Sequence, residues 1–257
     1  MRIISLNLWG GRAFSSLKEF LNNEKDKTDL FCFQETLEYS LGMPEIYSIK
    51  AKTEHQPKEF SERENLYTDL KEILTDYNSY LTDTYSSGKE RLSMFIKKGI
   101  TANEDEYSII DKLGLKVEGL PYSVGCIMQH ASIVSDGKTY DICNVHGLWQ
   151  HSSKDDTPER IKQSEGIIKC MSNMDPRRIL AGDFNLLPDT KSIKMIEDSG
   201  FRNLIKDYNI TDTRGKLYTK KLRYADYTFV SSQINVNKFG VIPVQASDHL
   251  PMVLEFS

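Results

Sequence analysis

The run Asp29–Phe33 (DLFCF) constrains what this chain can fold into more than any other feature. It is short, continuously apolar and lacks polar alternation, so a strand built from it needs cover on both faces. Other strand-like runs lie at 2–8, 92–97, 124–134, 139–145, 178–181, 226–231, 239–244 and 251–256. Helical spacing appears between them. Leu17, Phe20 and Leu21 mark 15–26, and Leu66, Leu70, Ile73 and Leu74 mark 65–75. Thr157-Pro158 supplies a cap and a first-turn proline for a helix running to about Met174 that buries Ile161, Ile167, Ile168 and Met171. A shorter helix is expected near 190–198, and Asp136-Gly137 is a hairpin turn. Hairpins mixed with strand–helix–strand units, with neither repeat nor linker, predict one α/β domain over 1–257. It holds a mixed sheet, or two sheets face to face with helices outside.

Apolar runs also end in a consistent way, with a polar residue at the step into a loop. Asn7 closes the first run, Glu35 the second, His146 the run TYDICNV, and Asp183 and Asn185 follow RILA; Asp248 and His249 precede the last run. Each has a bland alternative as a turn residue, a solvated carboxylate or a core histidine. Their joint recurrence is harder to explain as structure. Carboxylates and carboxamides are oxygen donors suited to a hard cation such as Mg²⁺, which is held by one or two carboxylates with water and phosphate completing its shell. Glu35, Asp248 and Asn7 fit that demand. Histidines without a cysteine partner point to phosphate stabilisation and proton work more than to a closed zinc site.

Charge and cysteine content narrow the class. The formal charge is −4 and no Lys/Arg run exceeds two residues, which argues against a dedicated duplex-DNA binder without excluding a nuclease. Cys32, Cys126, Cys143 and Cys170 are far apart and form no CxxC pair, so buried reduced thiols are expected. No apolar run reaches the ~20 residues of a membrane span, and MRIISLNLWGG reads as a strand opening instead of a leader. A cytoplasmic protein is expected, with no evident obligate protein partner.

The segments SLNLWG, FCFQET, CNVHGLW, ERIKQSE, ILAGDFNLLP, YADYTFV and SDHLPMV follow one another from residue 5 to 253. In that order they resemble the endonuclease/exonuclease/phosphatase superfamily. The resemblance implies a DNase I-like four-layered α/β sandwich, two mixed β-sheets packed face to face and flanked by helices. It implies Mg²⁺, with Mn²⁺ able to substitute, held mainly by Glu35 with Asn7 and Asp248 nearby. It makes Asp183 the group that orients and deprotonates the attacking water, with Asn185 holding that water or the phosphate. His249 would stabilise the transition state, His146 would contact phosphate from another side, and Asp226 would orient His249. Arg160 and Gln163 in ERIKQSE are read as ties between the helix and its neighbours.

The resemblance implies a phosphate-ester substrate, with a phosphodiester, a nucleic acid end or a single strand preferred. Phosphomonoesterase activity on a small sugar, inositol or nucleotide phosphate is the alternative, and an inactive binding scaffold is the alternative of another class. His146 stands where abasic-site endonucleases of the superfamily usually carry Tyr, which counts against that activity. Segments 40–64 and 147–156 are the expected recognition surface, and Trp149 and His151 are candidate substrate contacts. His55 and His130 are left outside the site. Ser247 with His249 as a metal-free hydrolytic pair is disfavoured, because neighbours so close rarely face each other productively.

Overall fold

A computed structural model describes residues 1–41, 61–82, 90–110, 126–150 and 153–257. His55, His151 and most of the expected loop at 40–64 lie outside the described residues. In chain order the strands are β1 (Arg2–Asn7), β2 (Leu30–Thr36), β3 (Tyr77–Leu81), β4 (Arg91–Lys97), β5 (Thr101–Ile110) and β6 (Cys126–Ser135). Then come β7 (Lys138–His146), β8 (Arg178–Asp183), β9 (Phe201–Asn203), β10 (Asp226–Ser231), β11 (Val236–Val241) and β12 (Met252–Phe256). The helices are α1 (Phe14–Glu24), α2 (Leu66–Ile73), α3 (Pro158–Met171), α4 (Lys191–Asp198) and a single turn, α5 (Leu204–Asp207).

These strands form two six-stranded sheets, ordered β11-β12-β1-β2-β4-β3 and β5-β6-β7-β8-β10-β9. Both are mixed. β1 runs parallel to β2 and β7 parallel to β8, and the other pairings are antiparallel. The alternation along β1 and β2 explains the layering. Ile3, Leu30 and Cys32 join the large core that also contains residues of the second sheet, α3 and α4. Ile4, Leu6, Phe31 and Phe33 point the other way, onto Leu17, Phe20 and Leu21 of α1 and Leu66 and Leu70 of α2. A strand read as continuously apolar is thus covered by a sheet on one face and helices on the other. The result is a four-layered α/β sandwich.

A buried polar network stitches the two sheets. Gln34 Nε2 of β2 donates to Asn144 Oδ1 of β7 at 2.6 Å, and Asn144 Nδ2 donates back to Phe33 O at 3.0 Å. Buried polar groups of this kind are satisfied only in one relative placement of the sheets, so they fix that placement.

Most expected elements are present, with instructive shifts. Asp136 and Gly137 both take positive φ, at 50° and 70°, as a tight hairpin turn requires. The Thr157 hydroxyl accepts from Arg160 N at 3.3 Å, capping α3. The buried face of α3 is Arg160, Gln163, Ser164, Ile167 and Met171; Ile161 and Ile168 are only half-buried, a correction to the expected face. Arg160 Nη1 donates to Asp155 O at 2.6 Å, and Gln163 Oε1 accepts from Leu148 N at 2.8 Å. Helix and loop are therefore tied through polar groups. Strands β3, β5 and β9 carry no clear strand signal in sequence. β3 (YNSYL) and β5 (TANEDEYSII) lie at sheet edges, where acidic and polar side chains are tolerated and blunt edge-to-edge pairing. Cys32, Cys126 and Cys143 are buried free thiols, and burial raises the pKa of each.

Candidate active site

Sheet register does much of the positioning. His146 pairs with Asp183 across the parallel β7–β8 edge, and Asp226 pairs with Asp183 across β8–β10. Three chemically active side chains therefore start from adjacent strands at one end of the second sheet. Gly182 makes the close approach feasible: a Cβ there would lie 2.0 Å from Val145 O. In the first sheet, Asn7 ends β1 beside Gln34 of β2. The register of β2 against β4 slips between Phe33 and Thr36, and Glu35 sits in that irregularity at φ 55°. Such bulges re-aim side chains, and here Glu35 is turned into the cleft.

The two half-sites meet at Asn7. Its Nδ2 donates to Glu35 Oε1 and to Asp183 Oδ2, both at 3.0 Å, while its Oδ1 accepts from Trp9 N at 2.9 Å. Asn7 is thus held as a donor between two carboxylates, with its oxygen occupied. Asp183 Oδ1 accepts from Asn185 N at 2.8 Å, and Asn185, at φ 54°, donates from Nδ2 to Gly147 O at 3.3 Å. His146 Nε2 lies 3.8 Å from Glu35 Oε1 and 4.0 Å from Asp183 Oδ2. His249 Nε2 lies 3.7 Å from Asp183 Oδ2 and 3.7 Å from Asp248 Oδ1. The Asp183 carboxylate is therefore flanked by two imidazoles and an amide.

His249 is set by its other nitrogen. Nδ1 is 2.8 and 2.9 Å from the two oxygens of Asp226, and both residues are buried. Arg214 Nη1 touches His249 Nε2 and donates to Asp248 Oδ2 at 3.1 Å. A guanidinium only donates, so Nε2 is an acceptor and the imidazole proton sits on Nδ1, directed at Asp226. Burial, then Arg214, hold His249 well below the ordinary histidine pKa, consistent with that neutral tautomer. Burial pushes Asp226 up to about 6, against Arg214, which lowers it. Burial likewise raises Asp248, with Glu35 adding to the rise and His249 and Arg214 opposing it. For Arg214 burial would lower the pKa, but Asp183, Asp226 and Asp248 outweigh it and the pKa is raised.

These groups line a cleft of about 440 Å³. Of the residues singled out in sequence, Glu35, His146, Trp149, Asp183, Asn185, Asp248 and His249 line it, Asn7 and Asp226 stand behind them, and His151 lies outside the described residues. Trp9 is also in the wall. Sequence reasoning missed Arg214, Tyr218 and Glu90, which line it too, and named Glu62 and Lys154 only through the recognition segments 40–64 and 147–156. They lie in polar stretches without periodicity, and only the fold brings them to the cleft. Asp183, Asp226 and His249 also bring potential ligand atoms within 4.8 Å of one another. That cluster is the hydrogen-bonded pair Asp226–His249 plus Asp183, so its imidazole and one carboxylate already satisfy each other. Glu35 and Asp248 are among the hard oxygen donors lining the cleft, and their mutual charge is what a divalent cation would relieve.

A family model described as "Endonuclease/Exonuclease/phosphatase family" matches residues 4–249. The chain belongs to this family. Members of the endonuclease/exonuclease/phosphatase family are hydrolytic phosphoesterases, so the chain is a phosphoesterase by family. No curated protein matches it in sequence. Solved structures of the family share its fold. An endonuclease/exonuclease/phosphatase from Bacteroides vulgatus superposes with a TM-score of 0.70 at 16% identity, covering 100% of this chain and 98% of that one. A mannosyl-6-phosphatase from Bacteroides thetaiotaomicron gives 0.68 at 17% identity, covering 100% and 99%. D. rerio TDP2 complexed with a single-strand DNA product gives 0.67 at 13% identity, covering 100% and 98%. The fold is DNase I-like, as the family resemblance implied. No helix among the described residues is long and apolar enough to cross a membrane.

Proposed function

We propose that the protein hydrolyses a phosphodiester by in-line attack of water, with Mg²⁺ as its cation and Mn²⁺ as a substitute. The observation that carries this reading is the Asp183 carboxylate, fixed by Asn7 and Asn185 and flanked by His146 and His249 within 4.0 Å. Glu35 and Asp248 would hold the cation, with Asn7 setting the angle of Glu35. When bound, Mg²⁺ neutralises charge on the phosphate oxygens and so lowers the barrier to attack.

The side chains divide the remaining work. Asp183 holds the attacking water and takes its proton. Oxygen then bonds to phosphorus as the ester bond opposite breaks, and the leaving oxygen takes a proton from water, giving an alcohol and a phosphate monoester. Asn185 steadies the water or the phosphate, and His146 supports the phosphate from the Glu35 side. Arg214 and His249 act as a pair. An arriving phosphate competes for the Arg214 guanidinium, and Nε2 of His249, no longer its acceptor, is free to take a proton from solvent. His249 can then donate to a non-bridging oxygen as negative charge builds there, while Asp226 holds the imidazolium. Trp149 in the cleft wall, and His151 beyond the described residues, are assigned to substrate contact. A nucleic acid end or single strand fits an open cleft walled by Trp9 and Trp149.

The test is hydrolysis of bis(p-nitrophenyl) phosphate, p-nitrophenyl phosphate and a fluorescent single-stranded oligonucleotide, each with Mg²⁺, Mn²⁺ or EDTA. Metal-dependent turnover of a diester, reduced about 10³-fold or more in Asp183→Asn, is the expected result. Turnover confined to the monoester would replace the reading with a phosphomonoesterase. Asp183→Asn at wild-type rate would sink the role given to that residue. Silence on all three, without a metal-linked thermal shift, would favour a binding scaffold.

A further inference from the structure

The cleft does not end at the catalytic residues. A second cavity of about 200 Å³ continues from it, sharing Trp149, Lys154, Asn185, Tyr218 and Lys220. The two arms differ in charge. Glu35, Glu62, Glu90, Asp183 and Asp248 line the first, whereas no carboxylate is among the described residues lining the second. In a chain of formal charge −4, such a segregated basic arm does not follow from composition.

Lys154 stands at the junction. It is 9% exposed, and its Nζ donates to Tyr224 O at 2.6 Å and lies 5.5 Å from the Tyr218 ring centre. Among the described residues no carboxylate lies within ion-pair distance of it. A buried cation without a counter-ion is costly, and an ammonium with one donor committed has two left to offer. Burial, then the neighbouring Arg214, lower its pKa to about 8, a penalty that a bound anion would relieve. Arg160 also lines this arm, with Nη1 and Nη2 donating to Asp155 O and Leu148 O. Further out, Lys220 Nζ sits 6.0 Å from the centre of the Trp149 ring, and Trp149 is 41% exposed. Lys221 completes the basic wall. Cations set beside exposed aromatic faces suit a ligand that is both anionic and planar.

We propose that this arm is an anion subsite, built from Lys154, Lys220 and Lys221 with Trp149 as a stacking face, that takes a phosphate joined to a planar ring. In substrate terms it receives a nucleotide unit next to the bond that is cut, a clause that rests on the phosphodiesterase reading. The substrate would then be a nucleotide ester carrying a phosphate besides the scissile one. A simple diester such as bis(p-nitrophenyl) phosphate would leave the arm half filled.

Binding in EDTA isolates the arm, because without a divalent cation the acidic end repels phosphate. Thymidine 5′-phosphate, thymidine and inorganic phosphate would each be titrated against the full chain by calorimetry. The nucleotide is expected to bind about tenfold or more tightly than either fragment. Lys154→Gln and the double change Lys220→Gln with Lys221→Gln should each weaken it about tenfold, toward the level of thymidine. Trp149→Ala should weaken it toward the level of phosphate. Equal affinity for nucleotide and thymidine, absence of binding, or lysine variants that bind like wild type would each overturn the inference. A fold check by circular dichroism guards the Lys154 variant, and the Lys220/Lys221 pair, both exposed, tests the arm without touching the core. Diester turnover with Mg²⁺ is read separately. Its failure beside intact nucleotide binding would remove the phosphodiesterase reading and leave the anion subsite standing.

Discussion

A histidine–aspartate pair occurs twice among the described residues. His130 Nε2 lies 2.8 Å from Asp141 Oδ1, and His249 Nδ1 lies 2.8 Å from Asp226 Oδ1. All four residues are buried. The difference lies in their surroundings. His130 and Asp141 sit on paired strands β6 and β7, and Asp141 also accepts from Asp175 N at 2.5 Å, anchoring the turn before β8. Burial raises the Asp141 pKa, but the bonds from His130 and the Asp175 amide outweigh it and hold the carboxyl low. Asp226 has only partial compensation, and burial lifts it to about 6. One pair is a brace between two strands and a turn. The other keeps a carboxylate at a cost, with the second nitrogen of its histidine held by Arg214 at the wall of a cleft. A His–Asp contact is therefore no signature of catalysis; what the second nitrogen faces decides its use.

The contrast can be broken most directly at the histidine. His249→Ala should lower kcat on a responsive diester by about 10²–10³-fold, as loss of one transition-state donor does, with little change in Tm. Asp226→Asn should cost less, about 10–100-fold in kcat, because it acts through the orientation of His249. It should leave Tm at pH 7 unchanged or raised, since it removes a buried charge. Asp141→Asn should do the reverse: unaltered kcat, and a loss of about 1–3 kcal/mol, read as about 2–4 °C of Tm per kcal/mol. A turnover defect in Asp141→Asn as large as that of Asp226→Asn would erase the distinction.

The smallest effect is the dependence on pH. Asp226 has a folded pKa above its unfolded value, so the folded form binds the extra proton and stability from this group falls as pH rises through about 6. Any Tm advantage of Asp226→Asn should then shrink as pH is lowered from 7 to 5. Asp141 has the opposite sign. Its folded pKa is depressed, so its stabilisation is present above the unfolded carboxylate value and lost as pH falls through the folded one. The Tm deficit of Asp141→Asn should close only in acid. Thermal scans of the variants beside wild type read both gaps.

Doubly covered strands and polar strand ends are legible in the sequence because they follow from local rules; those rules leave one mixed sheet or two open, and it is the family resemblance that implies four layers. Apolar runs such as DLFCF announce strands buried on both faces, and polar residues at strand ends collect at one edge once the strands are side by side. Edge strands β3 and β5 are not legible, since their polar composition suits an exposed margin as well as a loop. Arg214, and the individual role of Lys154 within its recognition segment, are hidden for another reason. A cation in a polar loop looks the same whether it faces solvent or a cleft, and only tertiary packing distinguishes the two. The Ile161 face of α3 misled because Arg160 and Gln163 are buried by hydrogen bonds to backbone, which apolar periodicity cannot register.

The Asn7 amide, joined at 3.0 Å to a carboxylate from each sheet, has a consequence for how the enzyme is assembled. Neither sheet alone owns a working centre, so competence is a property of their docking. During refolding, activity should return only with the last inter-sheet contacts, later than strand content. In the folded protein, a shear of one sheet by a fraction of a hydrogen-bond length would switch catalysis off while every reacting side chain remained in place.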